Sequence, residues 1–187
     1  MVGFTIISRK TIKSFFVELS TNIVTIIQAR LGSTRLPGKI LKPIQGKPML
    51  WHIVNRLRSV NEIERVVIAT SKLPSDDLVF DMATAHGIDC FRGSEADVLN
   101  RIFVAAQLQN AQHVIRVTGD CPLVDPTTIS RLIKRYFDGK YDFCGVACGA
   151  GVANKININR YPDGLDAEIF SYKVLEEAHL EAKSKLH

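Results

Sequence analysis

The sequence predicts an α/β fold: a mostly parallel central sheet covered by helices on both faces, in three layers. Three observations carry this expectation. Short β-branched runs alternate with stretches of helical periodicity, the chain order of strands joined by crossover helices. Turn-forming residues separate the two kinds of segment. A length of 187 residues, 46% hydrophobic and 23% charged, suits one domain able to bury its own core.

The elements follow in order. Ile23 to Gln28 is a buried strand with a glycine-rich loop behind it. Leu50, Ile53, Val54, Leu57 and Val60 recur at helical spacing, so a helix spans Met49 to Val60, with Pro48 near its first turn. Arg65 to Thr70 is a second strand. A helix starting at Ser75 carries Leu78, Val79, Met82 and Ala85 on one face and stops before Gly87. Ile88 to Phe91 is a third strand. Ser94 is expected to cap the next helix, with Glu95 and Asp97 in its first turn and Val98, Leu99, Ile102 and Ala105 on its apolar face. His113 to Val117 is a fourth strand, followed by a helix through Ile129, Leu132, Ile133, Tyr136 and Phe137. Tyr141 to Val146 is a fifth strand, "CGAGVANKININR" an irregular excursion or β-arm, and Gly164 to Phe170 a sixth strand. Ser171 then caps a final helix through Val174, Leu175 and Ala178. The chain divides into an N-terminal extension, residues 1–22, and one domain, residues 23–187.

Composition narrows the function classes. The net charge of +5 and pI near 9.1 favour an anionic partner. Arg30, Arg35, Lys39, Lys42, Lys47, Arg56, Arg58 and Arg65 cluster without the aromatic interleaving of a nucleic-acid module, so a small phosphorylated ligand is expected rather than nucleic acid. The four cysteines have no CxxC pair and no zinc-type spacing, and they read as reduced structural thiols of a cytoplasmic protein. No apolar run of about 18 residues predicts a membrane span. In "MVGFTIISRKTIKSFFVELSTN" the apolar block precedes Arg9 and Lys10, the reverse of a secretory signal; a short helix, an organelle-targeting tail and a simple extension all fit it.

In open α/β sheets ligands bind beyond the carboxyl ends of the strands, and three informative segments fall there: "QARLGSTRLPGK", "FRGSE" and "GDCP". In the first, Gly32 and Gly38 let backbone amides approach an anion. Ser33 and Thr34 offer hydroxyls, and Arg30, Arg35 and Lys39 offer charge for a di- or triphosphate. It is not a Walker P-loop, because Gly32 and Gly38 are one residue too far apart and Lys39 is followed by Ile40. A basic connector is the plainer alternative. Asp120, after the fourth strand, is placed to hold magnesium, which usually takes one or two carboxylates plus phosphate oxygens; opening a turn is its plainer role. Asp163 and Asp166 are candidates for the second carboxylate. Asp163 has a turn explanation in Pro162-Asp163-Gly164, while Asp166, inside a strand pattern, is the better metal candidate.

"IIQARLGSTRLPGKIL", "GKPMLWH", "VVIATS", "FRGSEADVLNR", "VIRVTGDCPLVDP" and "YPDGLDAEIF", in this order, resemble the cytidylyltransferases that make CMP-activated acidic sugars. The similarity is greatest to the group named for a spore coat polysaccharide biosynthesis protein, and it runs from about Ile23 to the end of the chain. It implies the Rossmann-like fold of nucleotide-diphospho-sugar transferases. The loop residues Gln28, Ala29, Arg30, Gly32, Ser33, Arg35 and Lys39 would then wrap the CTP triphosphate, with Arg30, Lys39 and Asp120 catalytic. Gly93 and Ser94 would lie near cytosine and ribose, Asp120 and Asp166 would hold Mg2+, and Arg116 and Asp163 would meet the acceptor. The reaction implied is attack of a sugar-acid hydroxyl on the α-phosphate of CTP, releasing pyrophosphate, for surface or spore coat polysaccharide synthesis.

The resemblance has departures. Related enzymes often carry an aspartate where this chain has Ser71, and Gly145 to Lys155, where the family meets its sugar and sometimes a dimer mate, has no clear match. The resemblance therefore leaves a homodimer open, and it implies further chain beyond the final helix. A nucleotidyltransferase for another base or for a sugar phosphate, and a non-catalytic nucleotide- or sugar-binding module, are the alternative readings.

Overall fold

A computed structural model describes residues 21–33, 36–146 and 164–182. The strands in chain order are β1 (Ile23–Gln28), β2 (Pro43–Ile44), β3 (Lys47–Pro48), β4 (Arg65–Ser71), β5 (Asp89–Gly93), β6 (His113–Thr118), β7 (Phe143–Gly145) and β8 (Ala167–Ser171). The helices are α1 (Met49–Arg58), α2 (Asp77–Ala85), α3 (Val98–Leu108), α4 (Pro126–Gly139) and α5 (Tyr172–Glu181). Six strands form the central sheet in the order β5-β4-β1-β6-β8-β7. β5, β4, β1 and β6 run parallel, while β8 pairs antiparallel with both β6 and β7.

Side chains of a strand alternate between its faces, and both faces are covered here. Ile23 and Ile27 of β1, with Ile68, Ile115 and Val117, pack against the apolar stripes of α1, α2 and α4, represented by Ile53, Val79 and Ile129. Val24 and Ile26, with Val67, Ala69 and Val114, pack against Ile102 and Ala105 of α3 and Leu175 of α5. The three expected layers are thus α1, α2 and α4, then the sheet, then α3 and α5.

Several local expectations need correction. A 3-10 turn at Pro74–Asp76 delays the start of α2, and its buried face is Val79, Met82 and Ala83, at i, i+3 and i+4. Leu78 is instead 60% exposed, and Ala85 also faces solvent. Ser94 does not cap α3. Its Oγ accepts from the Asp97 amide in the turn before, and the carboxylate of Asp97 caps the helix by accepting from the Asn100 amide. Glu95 therefore lies ahead of the helix. β8 begins at Ala167, so Asp166 sits before the strand and is exposed rather than buried within it. The β2–β3 hairpin was not expected. Gln45 and Gly46, at φ 49° and 77°, supply the two left-handed positions that a two-residue type I′ loop needs.

The caps at Asp125 and Ser171 follow the usual chemistry. Asp125 accepts from the Thr128 amide and from the Thr128 hydroxyl, both at 2.8 Å, and these bonds hold its carboxyl below the ordinary range. Asp125→Ala is expected to destabilise the fold by about 0.5–2 kcal/mol, measured by denaturant unfolding at neutral pH. A depressed folded-state pKa contributes stability above the unfolded value and loses it as pH falls through the folded one. The gap between variant and parent should therefore close as the pH drops below about 4, the ordinary aspartate range.

Candidate active site

β4 and β5 lie on one side of β1, and β6, β8 and β7 on the other, so the chain reverses direction across the sheet between β1 and β6. This is where an α/β sheet leaves a crevice at its carboxyl edge. Gln28 ends β1 and Thr118 ends β6, their exits being tied by the Gly119 amide donating to the Gln28 carbonyl at 2.8 Å. A Cβ on Gly119 would stand 3.0 Å from the Ala29 Cβ and 3.1 Å from the Gln28 oxygen, so glycine permits this close approach.

The loop beyond β1 closes on one residue. The Leu31 carbonyl accepts from the Ser33 amide at 2.7 Å and the Gly38 amide at 3.4 Å, while the Leu31 amide donates to Asp76 Oδ1 at 2.8 Å. Gly38, at φ 67°, turns the chain into a short 3-10 helix, Lys39–Leu41. Thr34 and Arg35 lie outside the described residues.

A cavity of about 250 Å³ opens between this loop and the end of β6. Gln28, Ala29, Arg30, Gly32, Ser33 and Lys39 form one wall, and Thr118, Gly119 and Asp120 the other. Across it Lys39 Nζ donates to Asp120 Oδ2 at 2.7 Å. That bond, reinforced by Thr118 and opposed by partial burial, holds the Asp120 carboxyl below its ordinary range. Arg30 Nη1 donates to Glu95 Oε1 at 2.6 Å. Both pairs are solvent-accessible, and such pairs contribute only ~0–1 kcal/mol, so a polyphosphate can take over either cation at little cost. Chemically, the cavity offers two exchangeable cations, an ionised carboxylate and a small-residue wall, a combination suited to phosphate groups.

The match to known proteins decides what this site belongs to. Residues 24–183 match the family model described as cytidylyltransferase. The chain belongs to the cytidylyltransferase family. It is 39% identical over 126 residues to the spore coat polysaccharide biosynthesis protein SpsF of Bacillus subtilis, covering 65% of this chain and 52% of that one. It is also 39% identical over 125 residues to the 3-deoxy-manno-octulosonate cytidylyltransferase of Brucella ovis, covering 64% and 48%. A solved cytidylyltransferase of Leptospira borgpetersenii superposes with a TM-score of 0.75 at 31% identity, covering 89% of this chain and 67% of that one. The chain spans about half the length of the curated relatives it matches.

Other candidates fall elsewhere in the chain. Gly93 ends β5 and Ser94 follows it, two strands from β1, and neither lines the cavity. They connect to it through the neighbouring Glu95 and its bond to Arg30. Gly93 is glycine for a packing reason: a Cβ there would meet Arg101 Cγ at 2.8 Å, and Arg101 is fully buried, donating to the Ser94 and Glu95 carbonyls. Arg116 sits on the sheet, with Nε donating to Glu168 Oε2 at 2.7 Å and Nη1 to Gln28 Oε1 at 3.2 Å. It lines a larger cavity of about 690 Å³ between α3 and α5, whose walls include Leu99, Ile102, Phe143 and Phe170. Those apolar walls suit a polyphosphate poorly. Asp163 lies outside the described residues.

Asp166 does not line the smaller cavity, but its corner adjoins it. Its Oδ2 accepts from the Gly164 amide at 3.3 Å and lies 4.0 Å from Cys121 Sγ. Burial raises the Cys121 pKa, and the charges of Asp120 and Asp166 add to the rise, so both carboxylates act on one thiol. Among the described residues no three of His, Cys, Asp and Glu assemble a metal site by themselves. Asp120 and Asp166 flank Cys121, and carboxylates with phosphate supplying further oxygens are the donor chemistry that magnesium takes.

Sequence reasoning missed Glu95 as the partner of Arg30, and it missed Asp76. The available signal for Glu95 was its place in "FRGSE", one of the three segments expected at the carboxyl edge of the sheet, beside a loop of opposite charge. Asp76 looked like an ordinary acidic residue at a helix start. In the structure it is 1% exposed and accepts from Leu31 and from both the amide and the hydroxyl of Ser71. Where related enzymes often carry an aspartate, Ser71 thus reaches a carboxylate supplied five residues later.

Proposed function

We propose that this chain transfers CMP from CTP to a hydroxyl of a sugar acid, releasing pyrophosphate. The observation that carries the reading is the meeting of Arg30, Lys39 and Asp120 around one small-walled cavity at the reversal point of the sheet, in a chain of the cytidylyltransferase family. SpsF is named for spore coat polysaccharide biosynthesis, and the Brucella relative for 3-deoxy-manno-octulosonate, a sugar acid. The first name supports a polysaccharide as the destination, and the second supports an acidic sugar as the acceptor.

On this reading Lys39 exchanges Asp120 for phosphate oxygens, and Arg30 exchanges Glu95. Both then neutralise charge that grows on the leaving pyrophosphate. The acceptor oxygen bonds to the α-phosphorus as the bond from that phosphorus to the bridging β-phosphate oxygen breaks, and the hydroxyl proton is released. Asp120 and Asp166 would hold magnesium, whose chemistry there is to polarise the α-phosphate and lower the pKa of the hydroxyl. Backbone around Gly32 and Gly119 keeps the approach open for the chain of phosphates. No covalent intermediate with the protein is required.

The location proposed is cytoplasmic. Cys90, Cys121 and Cys144 are free thiols, and burial pushes Cys90 up to about 11, so it stays protonated and unreactive. No helix among the described residues is long and apolar enough to cross a membrane.

The test is pyrophosphate release from each of the four ribonucleoside triphosphates, against sugar acids and sugar phosphates, with and without magnesium. Release that requires CTP, a sugar acid and magnesium is the expected result. Equal release with ATP or GTP would sink the cytidine assignment, and tight nucleotide binding without release for any acceptor would replace the enzyme with a binding module.

A further inference from the structure

We infer that Asp76 is a positioning residue for the phosphate loop, fixing the residue on which the loop closes and so setting the affinity for the triphosphate. The inference rests on the reading of the cavity as a triphosphate cradle. Three observations carry it. Asp76 lies outside the cavity wall, at the end of the 3-10 turn ahead of α2, yet it reaches across 45 residues of sequence to the Leu31 amide at 2.8 Å. Leu31 is the hub of the loop, its carbonyl accepting from both Ser33 and Gly38, so holding its amide places both closing contacts. The third is burial: Asp76 is 1% exposed and forms no ion pair within the described residues, an arrangement that is costly for a charge unless hydrogen bonds satisfy it.

The hydrogen bonds here do satisfy it. Burial alone would raise the Asp76 pKa, but donation from the Leu31 amide, the Ser71 hydroxyl and the Ser71 amide outweighs burial and leaves the carboxyl below its ordinary range. The buried guanidinium of Arg101 lies within electrostatic reach and favours the same ionised form. One carboxylate oxygen therefore serves the loop and the other serves the end of β4. An asparagine can keep the Leu31 bond with its carbonyl, but its amide would then face the Ser71 donors. The side chain cannot satisfy both directions at once, so the Leu31 bond competes with the Ser71 bonds and the anchor is weakened.

The experiment compares the full 187-residue chain with its Asp76→Asn variant, using calorimetric titration with CTP and with CMP in the presence of magnesium. The variant is expected to lose roughly 10- to 100-fold in affinity for CTP, the scale of one hydrogen bond to a charged group. CMP, which lacks the β- and γ-phosphates, is expected to bind both proteins alike. Equal CTP affinity in a folded variant overturns the inference, as does a parallel loss of CTP and CMP, which marks general damage. A parent chain that binds no CTP overturns the cradle itself and the inference with it. Should the variant fail to fold, amide exchange on the parent chain decides: slow exchange at Leu31 supports the anchor, and exchange as fast as at an unstructured amide overturns it.

Discussion

With Asp120 replaced by alanine, pyrophosphate release from CTP is expected to fall by roughly 10²- to 10³-fold in kcat, the scale of losing one preorganised electrostatic group. Asp120 sits at the lip of β6, 2.7 Å from Lys39, and shares the Cys121 corner with Asp166. Removing it takes away one of the two carboxylates proposed to hold magnesium and also the hydrogen-bond partner of Lys39. The fold should hardly notice. Its side chain is 44% exposed, and substitutions at such positions usually stay within about 0.5 kcal/mol. The check is kcat and melting temperature measured on the same preparation. Retention of near-normal kcat in the variant would falsify a role for Asp120 in the reaction, whereas a collapsed melting temperature would reassign it to the fold.

Lys39→Ala is expected to weaken triphosphate binding by roughly 1.5–3 kcal/mol, the value of a hydrogen bond to a charged group. The side chain lines the cavity from the first turn of the 3-10 helix that Gly38 introduces, and its Nζ already makes a charge-assisted bond there. Arg30 is the more exposed of the two, with a side chain 48% accessible against 26% for Lys39, so its alanine variant should lose less. Titration with CTP checks both. If Arg30→Ala loses more than Lys39→Ala, the principal contact lies toward Glu95 rather than Asp120.

The sheet was legible because burial on both faces leaves a strong trace. Ile23–Gln28 and Arg65–Ser71 are apolar or β-branched almost throughout, and nothing but a covered strand uses such runs between turn signals. The ends of elements were less legible, since competing caps look alike in one dimension. Ser94 and Asp97 are both good caps, and only the turn geometry that spends Ser94 on the Asp97 amide decides between them. Leu78 misled because it adjoins the buried stripe in sequence: Val79, Met82 and Ala83 face the core, and Leu78 falls on the next position round the helix, in solvent.

The site divides in a similar way. Its contributions from one contiguous loop, Gln28 to Lys39, were readable because glycine, hydroxyl and basic residues together have few other uses. The union of that loop with Asp120 followed from both lying after strands of one sheet. What no local pattern carries is a contact such as Leu31 to Asp76 or Arg30 to Glu95, 45 and 65 residues apart in the chain. Such pairs depend on which strands become neighbours and on how far each loop then reaches.

The two ion pairs of the cradle also bear on how ligand arrives. Arg30 with Glu95 and Lys39 with Asp120 cancel charge for charge, so at distances beyond a Debye length of about 8 Å they exert little pull on an approaching nucleotide. Long-range steering is left to the overall charge of +5 spread over the chain. Ionic strength should therefore act on the association rate through that overall charge, while selectivity for longer phosphate chains is written in residence time, once partners have been exchanged at contact.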